Sequence, residues 1–330
     1  MKKIARYSLQ LGKATLCAIL LWPLTTHAQQ SVPKVITLVV GVAAGSVTDA
    51  VARVVGKGLS AQLESTVIVE NKPGAGQIIG INILRSKPAD ATTLLFIAGS
   101  ALGQTPAFRK DLNYEPLRDF TFIARSAVSG GVIAVSPNFE PSSVKELISY
   151  AKNNPGKLNF GSAGVGNAGH LQMEYFMSVT GTKMIHVPFK SDIQLVLELA
   201  EGRLDVSVVT AAAALPLYRD GRIKLLAVTS KAPATFLPEI PSLGQIDVAG
   251  LEGMDPFTFF GIVGPHGMSQ SLVNRINQAH NIALRDPAVV TSLRENLSSE
   301  PITESPEAFK QFVVNELAKW SLLGQNLKLD

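Results

Sequence analysis

VITLVVGVAAGSVTDAVARVVGKGLS, Val35–Ser60, is the stretch that decides the fold. Val35–Val40 is a β-branched run of strand length, and it ends in a loop of small residues at Gly41–Gly45. From about Val47 to Gln62 the apolar positions Ala50, Val51, Val54, Val55 and Leu59 recur at helical spacing. Strand, glycine loop and helix in that order open a βαβ unit. The same grammar continues outward. Val67–Glu70 reads as the next strand, Pro73-Gly74-Ala75-Gly76 as a turn, then helix to about Arg85 and a strand at Thr93–Ala98.

Around Arg125–Gly131 the pattern breaks, with Ser126, Ser129, Gly130 and Gly131 marking a connection. A second alternating series starts at Val132–Val135. It runs through helix Ser143–Lys152, strand Leu158–Phe160, helix Ala168–Thr180, strand Met184–Val187, helix Asp192–Glu201 and strands Asp205–Val209 and Leu225–Val228. A proline-rich stretch with Pro233, Pro238 and Pro241 leads back to a strand at Thr258–Val263 and helical segments near Leu272–Leu284, Val289–Asn296 and Pro306–Gly324. The expectation is an α/β protein of two doubly wound lobes: 29–128 plus 230–330 in one, 129–229 in the other. Ligands of such sheets sit beyond the carboxyl ends of the strands.

The first residues read as a leader. Lys2, Lys3 and Arg6, with Lys13 behind, precede an apolar run from Ala14 to Leu24, and Thr26-His27-Ala28 places a small residue for cleavage near Ala28. The run is short for a bilayer span, which disfavours the competing reading of a retained anchor. Four of the 30 basic residues lie in residues 1–28 and no acidic one does, leaving 26 basic against 26 acidic. A balanced surface offers no general field for nucleic acid or anionic lipid, so anions must be held by local chemistry. Cys17 is the only cysteine and falls inside the leader, so the mature chain is expected without disulfides or thiolate chemistry.

Two loops carry the candidate chemistry. In Gly45-Ser46-Val47-Thr48-Asp49, Ser46 and Asp49 have capping-box spacing, a sufficient structural role. The functional reading adds that Gly45 lets a carboxylate approach free amides at the positive end of a helix. Gly161–Gly169 (GSAGVGNAG) follows a strand and opens a helix in the same way. It matches the dinucleotide fingerprint literally, but the acid expected about 20 residues on, at the end of the next strand, is absent. That strand ends in His186-Val187-Pro188-Phe189, and the nearest acid is Asp192. Ser100 closes another strand and stands either as a ligand donor or as part of an ordinary turn. His170 is placed for capping, for support of the loop, or for ligand contact. His170, His186, His266 and His280 show no close metal-ligand spacing, and no GxSxG elbow exists, so neither metal, cofactor nor catalytic residue is expected.

Val35–Ser60, together with VIVENKPGAGQIIGINI (Val67–Ile83), PGKLNFGSAG (Pro155–Gly164), HVPF (His186–Phe189), LLAVTSKA (Leu225–Ala232) and LPEIPSLGQ (Leu237–Gln245), resembles the Bug-type receptors of tripartite tricarboxylate transporters. The resemblance implies a type II periplasmic-binding-protein fold that closes on its ligand like a flytrap. It implies one large and one small integral membrane subunit as partners; the receptor itself is expected to be a monomer without cofactor. It carries the ligand positions to Ala43, Ala44, Gly45, Ser46, Thr48 and Asp49 in one lobe, and to Ser162, Ala163, Gly164, Val165, Gly166, Asn167 and His170 in the other.

This chain departs from that pattern. Family members commonly read proline-phenylalanine and then two glycines in the first loop, where Gly41-Val42 and Gly45-Ser46 stand here. Many relatives place an aspartate and an asparagine after the strand that here ends in Val209 and Thr210, followed by Ala211–Ala214. An acid to pair with an amino group is therefore missing there, and an apolar wall takes its place. An unpaired buried ammonium is costly, so the expected ligand is a dicarboxylate, aliphatic or aromatic (terephthalate-like). A sensing receptor for a signalling system and a periplasmic enzyme acting on a small acid are the alternatives.

Overall fold

The computed structural model describes residues 31–324 other than 110, 235–236 and 255–256. The expected leader over residues 1–28, with its cleavage point, lies outside them. β1 (Val35–Val40), α1 (Val47–Leu63), β2 (Thr66–Asn71), α2 (Ile78–Arg85) and β3 (Thr93–Ala98) alternate as anticipated. Two short helices, α3 (Gln104–Phe108) and α4 (Pro116–Asp119), precede β4 (Phe120–Ser129), and β5 (Gly131–Val135) begins one residue later. Next come α5 (Val144–Asn153), β6 (Asn159–Ser162), α6 (Ala168–Thr180), β7 (Ile185–Pro188), α7 (Asp192–Ala200), β8 (Val206–Thr210), α8 (Ala211–Arg219) and β9 (Lys224–Val228). The chain then returns through β10 (Thr258–Pro265), α9 (Gln270–Ala283), α10 (Pro287–Thr291), β11 (Ser299–Pro301) and α11 (Pro306–Gly324).

These strands build two sheets. One runs β11-β4-β10-β3-β1-β2, the other β7-β6-β8-β5-β9. β1 pairs parallel with β2 and β3, and β10 enters antiparallel between β3 and β4. In the second sheet β6 is parallel to β7 and β8, while β5 is antiparallel to β8 and β9. Both sheets are covered on both faces, as parallel sheets must be. Along β1, Ile36, Leu38 and Val40 enter one core and Val39 the opposite one. Along β5, Ile133 and Val135 face one core, Val132 and Ala134 the other. α1 buries Val51, Ala52, Val55, Leu59 and Leu63 against the first sheet. The large aliphatic side chains among them contribute roughly 1.5–3 kcal/mol each.

β4 corrects the expected break at Arg125–Gly131. Arg125 and Ser126 sit inside a ten-residue strand because each finds a distant partner. Arg125 is gripped by Glu304 through Nε at 2.9 Å and a terminal nitrogen at 2.8 Å, and lies over the Phe312 ring. The fully buried Ser126 hydroxyl meets His280 Nε2 at 2.9 Å. The connection itself shrinks to Gly130, whose N–H donates to Ser298 O while its carbonyl accepts from Ala211 N. The neighbouring Gly131 has no room for a side chain, since a Cβ there would lie 2.5 Å from the Phe257 ring.

The return path binds the lobes together. Leu243, Leu251, Met254 and Phe257 pack into the core of the second sheet. α11 serves both lobes: Phe309 and Val313 fill the first sheet's core, while Trp320 packs edge-on to Tyr175 and Phe108 in the second.

Candidate ligand-binding site

The loop after β1 is held open from inside. Ser46 caps α1, its hydroxyl accepting from Asp49 N at 3.3 Å. Asp49 reaches back to Gly45 N at 2.9 Å, and it also receives Arg53 Nε at 3.0 Å and Asn71 Nδ2 at 2.9 Å. Burial works against ionising Asp49, but the bonds from Arg53, Gly45 and Asn71 outweigh it and hold its pKa below the usual carboxylate value. Asp49 is thus a buried brace of the loop, with both oxygens engaged by the protein. The first-turn amides of Val47 and Thr48 have no partner within the helix, as at any helix start. Gly45 takes φ +80 with nothing within 4 Å of a would-be Cβ, so its backbone can be approached from solvent.

Two further segments join this edge of the first sheet. The turn after β2 runs through positive φ at Gly74, Ala75, Gly76 and Gln77. Non-glycine residues held there store of order 1–3 kcal/mol each. Gln77 stands against Gly41 of the first loop and ties its own turn to the end of β3. Its Oε1 accepts from Ala98 N at 2.9 Å, and its Nε2 donates to the Ser100 hydroxyl at 3.3 Å. Ser100 is buried beneath this bond.

The opposing edge is the loop after β6. Asn167 caps α6, accepting from His170 N at 2.9 Å. Gly164 and Gly166 take φ +114 and +78. Gly166 N donates to His170 Nδ1 at 3.1 Å, so a neutral ring carries its proton on Nε2, which faces Glu174 at 3.7 Å. His170 therefore supports the loop from behind and is itself buried. It stacks on His186 with ring centroids 4.0 Å apart, and His186 stacks on Phe160. Burial, with His186 adding to it, pushes the His170 pKa down to about 4, and burial lowers His186 as well. Both rings are neutral near pH 7.

Ser162 meets His186 Nε2 at 2.6 Å, a pairing the sequence did not disclose. It does not make a nucleophile. The hydroxyl donates to Gly164 O at 3.0 Å, is 1% exposed, and no carboxylate orients the far ring nitrogen among the described residues. Nor do His, Asp and Glu side chains gather anywhere among those residues to hold a metal.

The two edges touch. Thr105 of α3 donates to Gly166 O at 3.3 Å, and a Cβ at Gly76 would lie 3.9 Å from Val165 O. Val165 itself projects from the loop tip, 68% exposed. Gln77 and Thr105, which bind these segments together, were not singled out in the sequence, although Gln77 lies inside the Val67–Ile83 stretch that carries the resemblance. Val209, Ala211 and Ala214 are core residues of the second lobe, so the expected apolar wall faces inward rather than into the cleft. Thr210, beside them, donates its hydroxyl to Asp192 Oδ2 at 3.0 Å. Two open hollows of about 530 and 480 Å3 lie elsewhere, the larger between Pro106–Arg118 and Leu317.

A family model for the tripartite tricarboxylate transporter family receptor matches residues 51–329. The UPF0065 protein in the tcbD-tcbE intergenic region of Pseudomonas sp. strain P51 is 30% identical over 295 residues, spanning 89% of this chain and 87% of that one. Protein BugT of Bordetella pertussis is 26% identical over 87% of both. Among solved structures, one described as a periplasmic transporter superposes with a TM-score of 0.82 at 30% identity, covering 90% of this chain and 98% of its own. R. palustris Rpa4515 with adipate gives 0.81 at 28% identity, covering 88% and 96%. The fold is accordingly the type II periplasmic-binding-protein fold.

Proposed function

The chain belongs to the tripartite tricarboxylate transporter receptor family, and from that premise we propose that it is an exported receptor delivering a small dicarboxylate to a tripartite carrier. Family membership makes it a solute-binding receptor of periplasmic type and not an enzyme. The observation that carries the ligand reading is that two strand-to-helix loops, Gly45–Thr48 and Gly164–Asn167, leave the carboxyl edges of two sheets, and that Thr105 and the turn at Gly76 of the first lobe touch the second loop. Each is a strand-to-helix turn whose first-turn N–H groups suit a carboxylate, so a ligand with a carboxylate at each end fits between them. The solved relative with adipate, a dicarboxylate, supports that choice.

In this reading Ala43, Ala44, Gly45, Ser46 and Thr48 take one carboxylate, and the loop Ala163–Asn167, braced from beneath by Ser162, takes the other. Asp49, Gln77, Ser100 and His170 shape the two loops. Lobe 1 (29–128 plus 230–330) and lobe 2 (129–229) close about Gly130, and the closed form is what the large and small membrane subunits recognise. The receptor works as a monomer. A few charge-assisted bonds that survive the cost of ordering the ligand give an affinity of about −8 kcal/mol, or micromolar.

Calorimetric titration of the mature protein with dicarboxylates of three to eight carbons, terephthalate included, tests this. Saturable one-to-one binding with the ligand recovered unchanged is expected. Silence across the whole series, or conversion of the ligand, would refute it.

A further inference from the structure

One pair of stacked rings holds the loop after β6 at two points. Ser162 donates to Gly164 O at 3.0 Å, so its oxygen accepts from His186, whose Nε2 lies 2.6 Å away and carries the proton. Two residues on, the Gly166 N–H points at His170 Nδ1 at 3.1 Å, which is therefore bare. The rings lie with centroids 4.0 Å apart, and Phe160 backs His186 at 4.9 Å. The neutral pair serves both points in one arrangement, each ring with its hydrogen on Nε2.

Gly166 also faces the first lobe. Its carbonyl accepts from the buried Thr105 hydroxyl of α3 at 3.3 Å. At φ +78, with nothing within 4 Å of a would-be Cβ, Gly166 has no side chain to anchor it, and these two bonds set its position. The lobes thus meet at the residue whose amide the histidine pair fixes.

His170 is the ring through which a proton would act. Its Nε2 is already protonated and faces Glu174 of the same helix at 3.7 Å, so an added proton goes to Nδ1. β7 brings His186 against the ring, β6 brings Phe160, and α3 brings Thr105 to the loop; besides His186 and Glu174, no titratable group among the described residues bears on it. A protonated Nδ1 cannot accept, and it would meet the Gly166 N–H donor to donor. Burial, with His186 adding to it, holds the His170 pKa down at about 4, so the arrangement is intact at pH 7.

We propose that the stacked His170–His186 pair is a positioning element: it presents Gly166 to Thr105 of the first lobe, and a proton taken up on His170 Nδ1 releases that contact and lets the lobes part. The released ring returns toward its ordinary pKa of 6.5, which makes the opening self-sustaining in acid.

This latch rests on the two-lobe receptor reading above, and a readout without ligand separates the two. Amide and imidazole NMR would be followed from pH 7 to 4 beside small-angle scattering, for the wild type, H170Q and T105V. Glutamine offers the Gly166 N–H an acceptor that does not titrate. The expected result is a Gly166 amide shift and a rise in radius of gyration that share the midpoint of the His170 ring, with far-UV circular dichroism unchanged. H170Q should show neither change. T105V keeps the histidine pair and loses the contact, so its amide should still shift while its radius stays large at every pH. Adipate gives a second measure, because its own protonation is common to every variant: the wild type should lose about tenfold more affinity than H170Q between pH 7 and 4.5. A Gly166 amide that ignores the His170 titration, or H170Q opening in acid like the wild type, would overturn the latch. Adipate failing to bind at pH 7 while amide and radius behave as expected would count against the dicarboxylate reading and support the latch.

Discussion

Gly45 shapes the first loop through its missing side chain. Its φ of +80 is disfavoured for any residue with a side chain, but a Cβ would point into open space. Gly45→Ala should therefore cost only about 1–2 kcal/mol in stability, while its methyl projects into the open space before the loop proposed to take a carboxylate. Ligand affinity should fall more than about tenfold with secondary structure intact; titration beside a urea midpoint separates the two effects. His280 sets a second expectation. Burial holds its pKa at about 4 against an ordinary 6.5. A histidine depressed in the folded state is stabilising above the unfolded pKa, and that stabilisation drains away as pH falls from 6.5 toward 4. The loss from His280 is as much as about 3 kcal/mol, and His170 adds to it in the same direction. Urea midpoints at pH 7, 5.5 and 4.5 should decline steadily, and His280→Gln should flatten the slope. Such residues also mark where the sequence fell silent. The loop glycines and caps were legible because their roles are local. Gln77, Thr105 and Asp192 were not, because each acts through a partner at least 18 residues away.

Elements were legible in proportion to how far their own residues specify them. α6 was read to its ends, since Asn167 caps it and Gly181 closes it at φ +66. β4 was misread because Arg125 and Ser126 look like breakers until Glu304 and His280 arrive from more than 150 positions away. Val209–Ala214 was read as an apolar wall because small apolar residues stand where relatives carry polar ones, although Val209, Ala211 and Ala214 dock into the core. α11 makes the sharpest prediction at this scale. Trp320 is fully buried against the second lobe, with its indole N–H on Glu316 at 3.0 Å. Trp320→Ala should cost about 3–5 kcal/mol and loosen the tie between lobes. Hydrogen exchange should report that as faster opening around Tyr175 and Phe108, ahead of the β1–β3 core.

For the whole molecule, alternation of strand and helix was enough to give two doubly wound lobes, because that pattern is written in the periodicity of the chain. The insertion of β10 between β3 and β4 was not readable, since nothing local announces which late strand returns to an early sheet. The proposed closure about Gly130 predicts a change in size. Small-angle scattering should show a smaller radius of gyration with saturating ligand than without, and no change in mass if the receptor is a monomer.

One cavity bounded by both glycine loops is what a crystal structure of the protein with its tightest ligand should reveal. A carboxylate within about 3 Å of the Val47 and Thr48 amides, with the other end of the same molecule on the Gly164–Asn167 loop, is the predicted result. A ligand lodged in the hollow between Arg109 and Leu317, with both loops unvisited, would contradict it.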